Sequence, residues 1–115
     1  MTATQSPTTD GLESFSDLST FQQETLLAIA KLEGAQTASY GLAIKRQLED
    51  VYNSEVNHGR LYPNLDDLVT DGLVEKTALD KRTNEYTLTD QGEQFLSEQR
   101  DRVAAILDDY QDAAA

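Results

Sequence analysis

The stretch NHGRLYPNLDDLVTDGLV, residues 57 to 74, decides the fold. Leu61, Leu65, Leu68 and Val69 recur at helical spacing, which predicts a helix that starts at Asn57, buries one aliphatic face and stops at Gly72. Asn57 offers a side-chain oxygen to the orphan amides of the first turn. Gly72 can take the left-handed backbone that ends a helix, ahead of the extended LVEKT. Pro63 falls about two turns in, where it deletes a hydrogen bond and predicts bent or distorted opening turns. His58, Arg60, Tyr62 and Asn64 are expected on the exposed side of those turns. Hydrogen-bonding and aromatic side chains at the start of a short helix, with aliphatic ones behind, suit a reader of the DNA major groove. An ordinary amphipathic helix has the same aliphatic face, so the flanking chain must decide between them.

Upstream, FQQETLLAIAKLEG predicts a first helix capped by Ser19 or Asp17, with Ser19 and Gln22 at capping-box spacing and Gly34 as the stop. Phe21, Leu26, Ile29, Ala30 and Leu32 are its expected buried side. A second helix, YGLAIKRQLEDVY, starts at Thr37 or Ser39, puts Ile44, Leu48, Val51 and Tyr52 on one face and offers Lys45 and Arg46 on the other. VYNSEV, which leads into the third helix, has the character of a short edge strand. Downstream, Leu73 to Thr77 and Glu85 to Leu88 read as strands, with Leu73, Leu79, Tyr86 and Leu88 available for burial. Between them ALDKRTN, with Asp80, Lys81, Arg82 and Asn84, reads as a hairpin tip. Three helices and a hairpin with a basic tip describe a winged helix-turn-helix, whose third helix enters the major groove while the wing lies over backbone or minor groove.

From Thr89 a long helix begins, capped by Thr89 or Asp90 with Glu93 in its first turn. Leu96, Val103 and Tyr110 repeat every seven residues, with Gln99 and Ile106 between them and Leu107 beside them. A helix of about twenty residues spans roughly 30 Å, more than a small winged helix needs to cover its core. Folding back on that core would leave Leu96, Leu107 and Tyr110 partly exposed, so pairing into a homodimer is expected. A two-fold dimer presents two reading helices to an inverted repeat, with half-sites one helical turn or a multiple apart. The expected fold class is therefore α+β, mostly α: a winged helix-turn-helix with a long C-terminal dimerisation helix. Residues 1–16 form a flexible N-terminal segment, 17–90 the DNA-binding domain and 91–115 the dimerisation helix.

Composition narrows the function. No apolar run approaches the roughly 18 residues that span a bilayer, and MTATQSPTTDG lacks the features of a secretion signal. A soluble, cytoplasmic protein with no membrane partner is expected. Cysteine is absent, so any response to oxidants needs an indirect route such as a partner, an ion change or a small molecule. The net charge of −12, from 21 acidic against 9 basic side chains, argues against nucleic acid if taken alone. The acids are scattered over every segment, however, as expected of a protein kept soluble in the multimolar salt of a halophilic cytoplasm. A non-nucleic-acid protein or a DNA mimic is the rival explanation of that charge. With so few cations near DNA, inorganic cations bridging protein carboxylates to phosphates are an expected accessory. No catalytic constellation is present, and no cofactor is expected. His58 is the only histidine, and Asp66 with Asp67, or Asp108 with Asp109, reads first as a solvated acidic face.

Several linked motifs carry a resemblance. Gly59-Arg60-Leu61-Tyr62-Pro63, Leu65 and Leu68 precede Asp71-Gly72-Leu73-Val74, then Tyr86-Thr87-Leu88-Thr89, Gly92 and Leu96, with Tyr40-Gly41-Leu42 opening the second helix. In this order, over residues 21 to 97, they resemble the PadR-like family of winged-helix transcriptional regulators. The acidic, cysteine-free character resembles its haloarchaeal branch, which includes an oxidative-stress regulator. The resemblance implies DNA binding, dimerisation through the C-terminal helix and a stress-response setting. Two departures stand out: the wing DKRTN, which falls short of the arginine-rich wings common in such regulators, and Asp66 and Asp67 on the reading helix.

On this reading, double-stranded DNA is the partner. Arg60 is the first candidate for guanine or phosphate, and Asn57, His58, Tyr62 and Asn64 contact bases or backbone. Lys81 and Arg82 on the wing, with Ser39, Lys45 and Arg46 at the second helix, hold phosphates and set register. Leu96, Gln99, Val103, Ile106, Leu107 and Tyr110 form the dimer interface. The competing reading is a protein-interaction adaptor that binds no DNA.

Overall fold

The computed structural model describes residues 12–114. Among them a 3-10 turn at Phe15–Asp17 leads into α1 (Thr20–Gly34), α2 (Gly41–Tyr52), α3 (His58–Thr70), β1 (Val74–Ala78), β2 (Asn84–Leu88) and α4 (Asp90–Ala114). The first three helices pack around Leu26, Ile29, Ile44, Leu48, Leu61, Leu65 and Leu68. Leu73, Val74 and Tyr86 of the hairpin and Phe95 of α4 close the core. This is a winged helix-turn-helix with a long C-terminal helix. No described helix is long and apolar enough to cross a membrane.

The helix ends follow from local chemistry. Ser19 and Gln22 form the capping box of α1, and Asn57 Oδ1 accepts from the Gly59 amide at 2.6 Å to start α3. At the end of α3, Gly72 has φ 80°, its amide donates to the Val69 carbonyl, and the Leu73 amide donates to that of Leu68. That double bond, with Leu73 packed on Leu68, is a Schellman stop. α1 ends the same way, but not at the residue expected. Gly34 is its last helical residue and Gln36, at φ 57°, occupies the left-handed position. Pro63 lies inside a continuous α3 and withholds the bond that the Gly59 carbonyl would otherwise accept.

β1 and β2 pair antiparallel from Val74 opposite Leu88 to Ala78 opposite Asn84. The expected edge strand at VYNSEV does not form; that link stays irregular and buries Val56. The edge of β2 is instead met by the chain before α2, where Tyr40 bridges Glu85 and the Tyr86 amide donates to the Ser39 carbonyl. Four side chains expected inside are not fully buried: Val51 and Leu79 are exposed, and Ala30 and Leu32 of α1 are only half-buried while Thr25 and Ala28 take the fully buried places. Thr25 is tolerated there because its hydroxyl donates to the Phe21 carbonyl at 2.7 Å. Phe15 and Leu18 are buried and Leu12 packs on the core, so within the segment expected to be flexible the chain is docked from residue 12. The remainder of that segment, 1–11, lies outside the described residues.

Two glycines show why the linked motifs occur together. A side chain at Gly92 would run into the Leu73 carbonyl oxygen, so α4 can start against the turn after α3 only if that position is bare. Thr89 completes the joint: its amide donates to the Leu73 carbonyl, its hydroxyl donates to the Gly72 carbonyl at 2.7 Å, and the Gly92 amide donates to its Oγ1 at 3.0 Å. At the other end of α3, a side chain on Gly41 would run into the Tyr62 ring. The Asp-Gly-Leu-Val turn, the Thr-x-x-Gly junction and the Tyr-Gly pair are therefore parts of two contacts.

Candidate nucleic-acid interface

α3 exposes Gly59, Pro63, Asp66, Asp67 and Thr70 along its outermost line. The four residues expected on that side divide between its two flanks. At 3.6 residues per turn, His58 and Tyr62 lie about 40° apart, as do Arg60 and Asn64, while the two pairs are about 160° from each other. His58 packs at a tilt of 34° against Tyr62 with ring centroids 4.5 Å apart, and Tyr62 continues to Gly41 at the start of α2. This flank faces α2 and the wing. Arg60 lies on the opposite flank with its guanidinium 4.0 Å over the Phe21 ring of α1. Phe21 in turn stacks on Tyr52 at 6.1 Å, so Arg60 rests on an aromatic pair.

Asn64 does not face solvent as expected. Its amide donates to the Arg60 carbonyl at 2.7 Å and its Oδ1 accepts from Gln22 of α1 at 3.0 Å. It ties α3 to α1, with both its oxygen and its amide already bonded within the protein. Ser39 is a second correction: it is 1% exposed and its hydroxyl donates to the Tyr86 carbonyl, which holds the start of α2 to the wing. A buried, bonded hydroxyl is unavailable to a phosphate. Asn57 is exposed, with Oδ1 engaged in capping.

The cations also sort themselves. Lys45 donates to Glu49 at 2.7 Å, and Lys76 lies 3.6 Å from Asp66. Glu49 receives the Val56 amide as well, at 2.9 Å, and these bonds, led by that from Lys45, lower its pKa. Glu49 thus fastens the turn between α2 and α3. Arg46, Arg60, Lys81 and Arg82 make no ion pair among the described residues. At the wing tip, the Arg82 and Thr83 amides both donate to Asp80 Oδ1, at 2.8 and 2.9 Å. The Arg82 amide is the largest cause of the lowered Asp80 pKa, and the turn it fixes projects Lys81 and Arg82 outward. Asp71, at the far end of α3, has a raised pKa from partial burial and from Asp67 one turn earlier.

A groove of about 410 Å³ joins these parts, walled by Tyr40 and Leu42 at the start of α2, by Tyr62, and by Leu79, Arg82 and Asn84 of the wing. Tyr40 and Leu42 were not singled out by the sequence reading, although the Tyr-Gly-Leu motif that contains them was. Lys45, Asn57 and His58 gather in an adjoining hollow. The starts of α2 and α3 and the wing tip thus form one continuous surface, with Arg60 on its far edge.

Residues 26–98 match the transcriptional regulator PadR-like family. The chain belongs to this family. Among solved structures it is similar to RosR of H. salinarum: to the hsRosR-S1 complex at 45% identity, covering 90% of this chain and 100% of that chain with a TM-score of 0.65. The RosR structure grown from NaBr is 50% identical over 84% of this chain and 96% of that chain, TM-score 0.59. AF1382 of Archaeoglobus fulgidus, 20% identical over 75% of this chain and 86% of that chain with a TM-score of 0.56, shares the fold. No curated protein matches the sequence. This PadR-like chain thus carries a second distinctive surface on α4. Beyond residue 100 all described side chains are exposed, and Val103, Ile106, Leu107 and Tyr110 make an apolar stripe along one side. Leu96, expected on that stripe, packs against the chain's own core, and Gln99 is half-buried. Among the described residues, no three His, Cys, Asp or Glu side chains gather closely enough to hold a metal ion.

Proposed function

We propose that the protein is a sequence-specific DNA-binding regulator that works as a homodimer on an inverted-repeat operator, in a salt-rich cytoplasm and in a stress-response setting. The observation that carries this reading is that Arg46, Arg60, Lys81 and Arg82 make no ion pair among the described residues, in a member of a transcriptional regulator family. The uncrowded line of Gly59 and Pro63 lets α3 approach the groove floor closely. The exposed His58, the half-buried Tyr62 beside it on the wing side, and the exposed Asn57 are candidates to meet base edges or backbone. Arg60, stacked on Phe21, keeps its in-plane donors free for phosphate or guanine. Lys81 and Arg82 take phosphates, Arg46 assists, and Lys45 joins them only by leaving Glu49.

The occupant of the α4 stripe is a second copy of the chain. Four large side chains at i, i+3, i+4 and i+7 form a helical seam that none of the described residues covers. Asp108, Asp109 and Asp112 neighbour the seam, so salt that screens them tightens the pair. At the DNA, Asp66 and Asp67 lie on the outer line of α3, where inorganic cations bridge them to phosphates. Operator affinity should therefore fall weakly, or rise, with KCl; a steep fall toward multimolar KCl would remove the bridging cations from the proposal. The same two aspartates favour the second reading, an adaptor that binds protein and no DNA.

The deciding experiment is quantitative binding of wild type and Arg60→Ala to genomic fragments and random duplex in multimolar KCl. Selection of inverted repeats by the wild type, weakened about tenfold or more by the substitution, is the expected result. No preference for any duplex at any salt would transfer the function to the adaptor reading.

A further inference from the structure

Two leucines stand in the groove between α2 and the wing without any part in the core. Leu42 is 50% exposed and Leu79 is 49% exposed, in a small protein whose other leucines on these elements are buried or half-buried. They face a space that Arg82 and Asn84 also line. Asp80, the one acid in its wall, has Oδ1 occupied by the two amides of the wing tip. The groove is continuous through Tyr62 and His58 with the starts of α2 and α3. A second copy of the chain is not its occupant, since the apolar seam for that contact lies on the distal half of α4.

We infer that one strand of the operator lies in this groove, with Leu42 and Leu79 packed on deoxyribose faces and Arg82 at the intervening phosphate. This rests on the DNA-binding reading above and assigns a part of its affinity. The match is chemical: a DNA strand alternates an apolar sugar face with an anionic phosphate, and the groove is lined by leucine together with arginine. The consequence concerns salt. Ionic contacts weaken as counterions compete, whereas burial of apolar surface is unscreened and is favoured by salting-out. A protein with a net charge of −12 and few free cations gains from supplying part of its grip in that form.

The test compares the full-length wild type with Leu42→Ser, Leu79→Ser and the double variant, on operator and random duplex, from moderate to multimolar KCl. Both side chains are half exposed, so thermal melting should be unchanged; if the double variant melts early, the single variants carry the comparison. The expected result is a loss of about tenfold in the double variant, equal to about 1.4 kcal/mol, larger at high salt than at moderate salt and equal on the two duplexes, because sugars carry no sequence. Wild-type affinity in every variant at every salt would overturn the inference. A loss confined to the operator would also overturn it, by placing the leucines on base edges. An unaltered salt response would do the same, and would leave bridging cations as the whole cause. If the wild type itself binds no duplex, the DNA reading fails first and is seen to fail in that arm alone.

Discussion

The two halves of α4 share a helix and little else. Its first two turns are rooted: Gly92 lies bare against the Leu73 carbonyl, Phe95 is wholly buried and Leu96 packs beside it. From residue 101 onward none of the described residues covers it, and Tyr110 is 68% exposed. A large apolar side chain in the root contributes to folding, and on the proposed dimer reading one in the distal half contributes only to association. Phe95 and Ile106 are three turns apart on one helix, yet their substitution should separate folding from association.

The largest effect is expected at the root. Phe95→Ala empties a fully buried site and should cost about 4 kcal/mol, read as the shift in urea midpoint at high salt. Gly92→Ala should cost about 3 kcal/mol in the same measurement, because the new methyl meets backbone, which cannot turn aside. Gly41→Ala meets the end of the Tyr62 side chain, which can move, so its cost should be clearly smaller. In the distal half, Ile106→Asp should leave the unfolding midpoint of the monomer unchanged and raise the dimer dissociation constant at least about a hundredfold, as two-fold symmetry introduces the charge twice. Sedimentation in multimolar KCl checks it; an unchanged mass distribution would show that the stripe is not the seam.

Acid gives a smaller separation. The pKa of Glu49 is lowered in the fold, chiefly by Lys45, so its contribution is present above its unfolded value and is lost as pH falls through the folded one. Stability should decline on that acid limb, and Glu49→Gln should flatten the decline without altering association at neutral pH. The smallest effect is a gain. Gln36 occupies a left-handed position at the end of α1, and Gln36→Gly should stabilise the rooted unit by up to about 1 kcal/mol, with the distal half indifferent.

Elements with local causes were legible in the sequence. The Asn57 cap, the Gly72 stop, the Ser19–Gln22 box and the order of helices and hairpin all rest on interactions within a few residues. What was not legible depends on partners far along the chain. Ser39 reads as a free hydroxyl until β2 is brought 47 residues back to it, and Asn64 reads as a base reader until Gln22 arrives from 42 residues away. Leu96 fits a seven-residue repeat with Val103 and Tyr110, and that repeat concealed the fact that the helix changes neighbours along its length. The division of α3 into two flanks was available from helical geometry alone, since residues two apart face nearly opposite ways. Gln36 shows the reverse case, a glycine two residues earlier being the more obvious stop.

The joint of Thr89 and Gly92 against the Gly72–Leu73 turn has a consequence for operator choice. It bolts the base of a 25-residue helix, about 37 Å long, directly to the C-terminal end of the reading helix. In a two-fold pair that meets along the far end of this arm, the joint acts as a caliper hinge. A change of about 5° there swings the arm's tip by about 3 Å, close to the step between neighbouring base pairs. On the proposed reading as a dimer on an inverted repeat, the stiffness of the Thr89–Gly92 joint would set how many base pairs of spacer between half-sites the protein accepts.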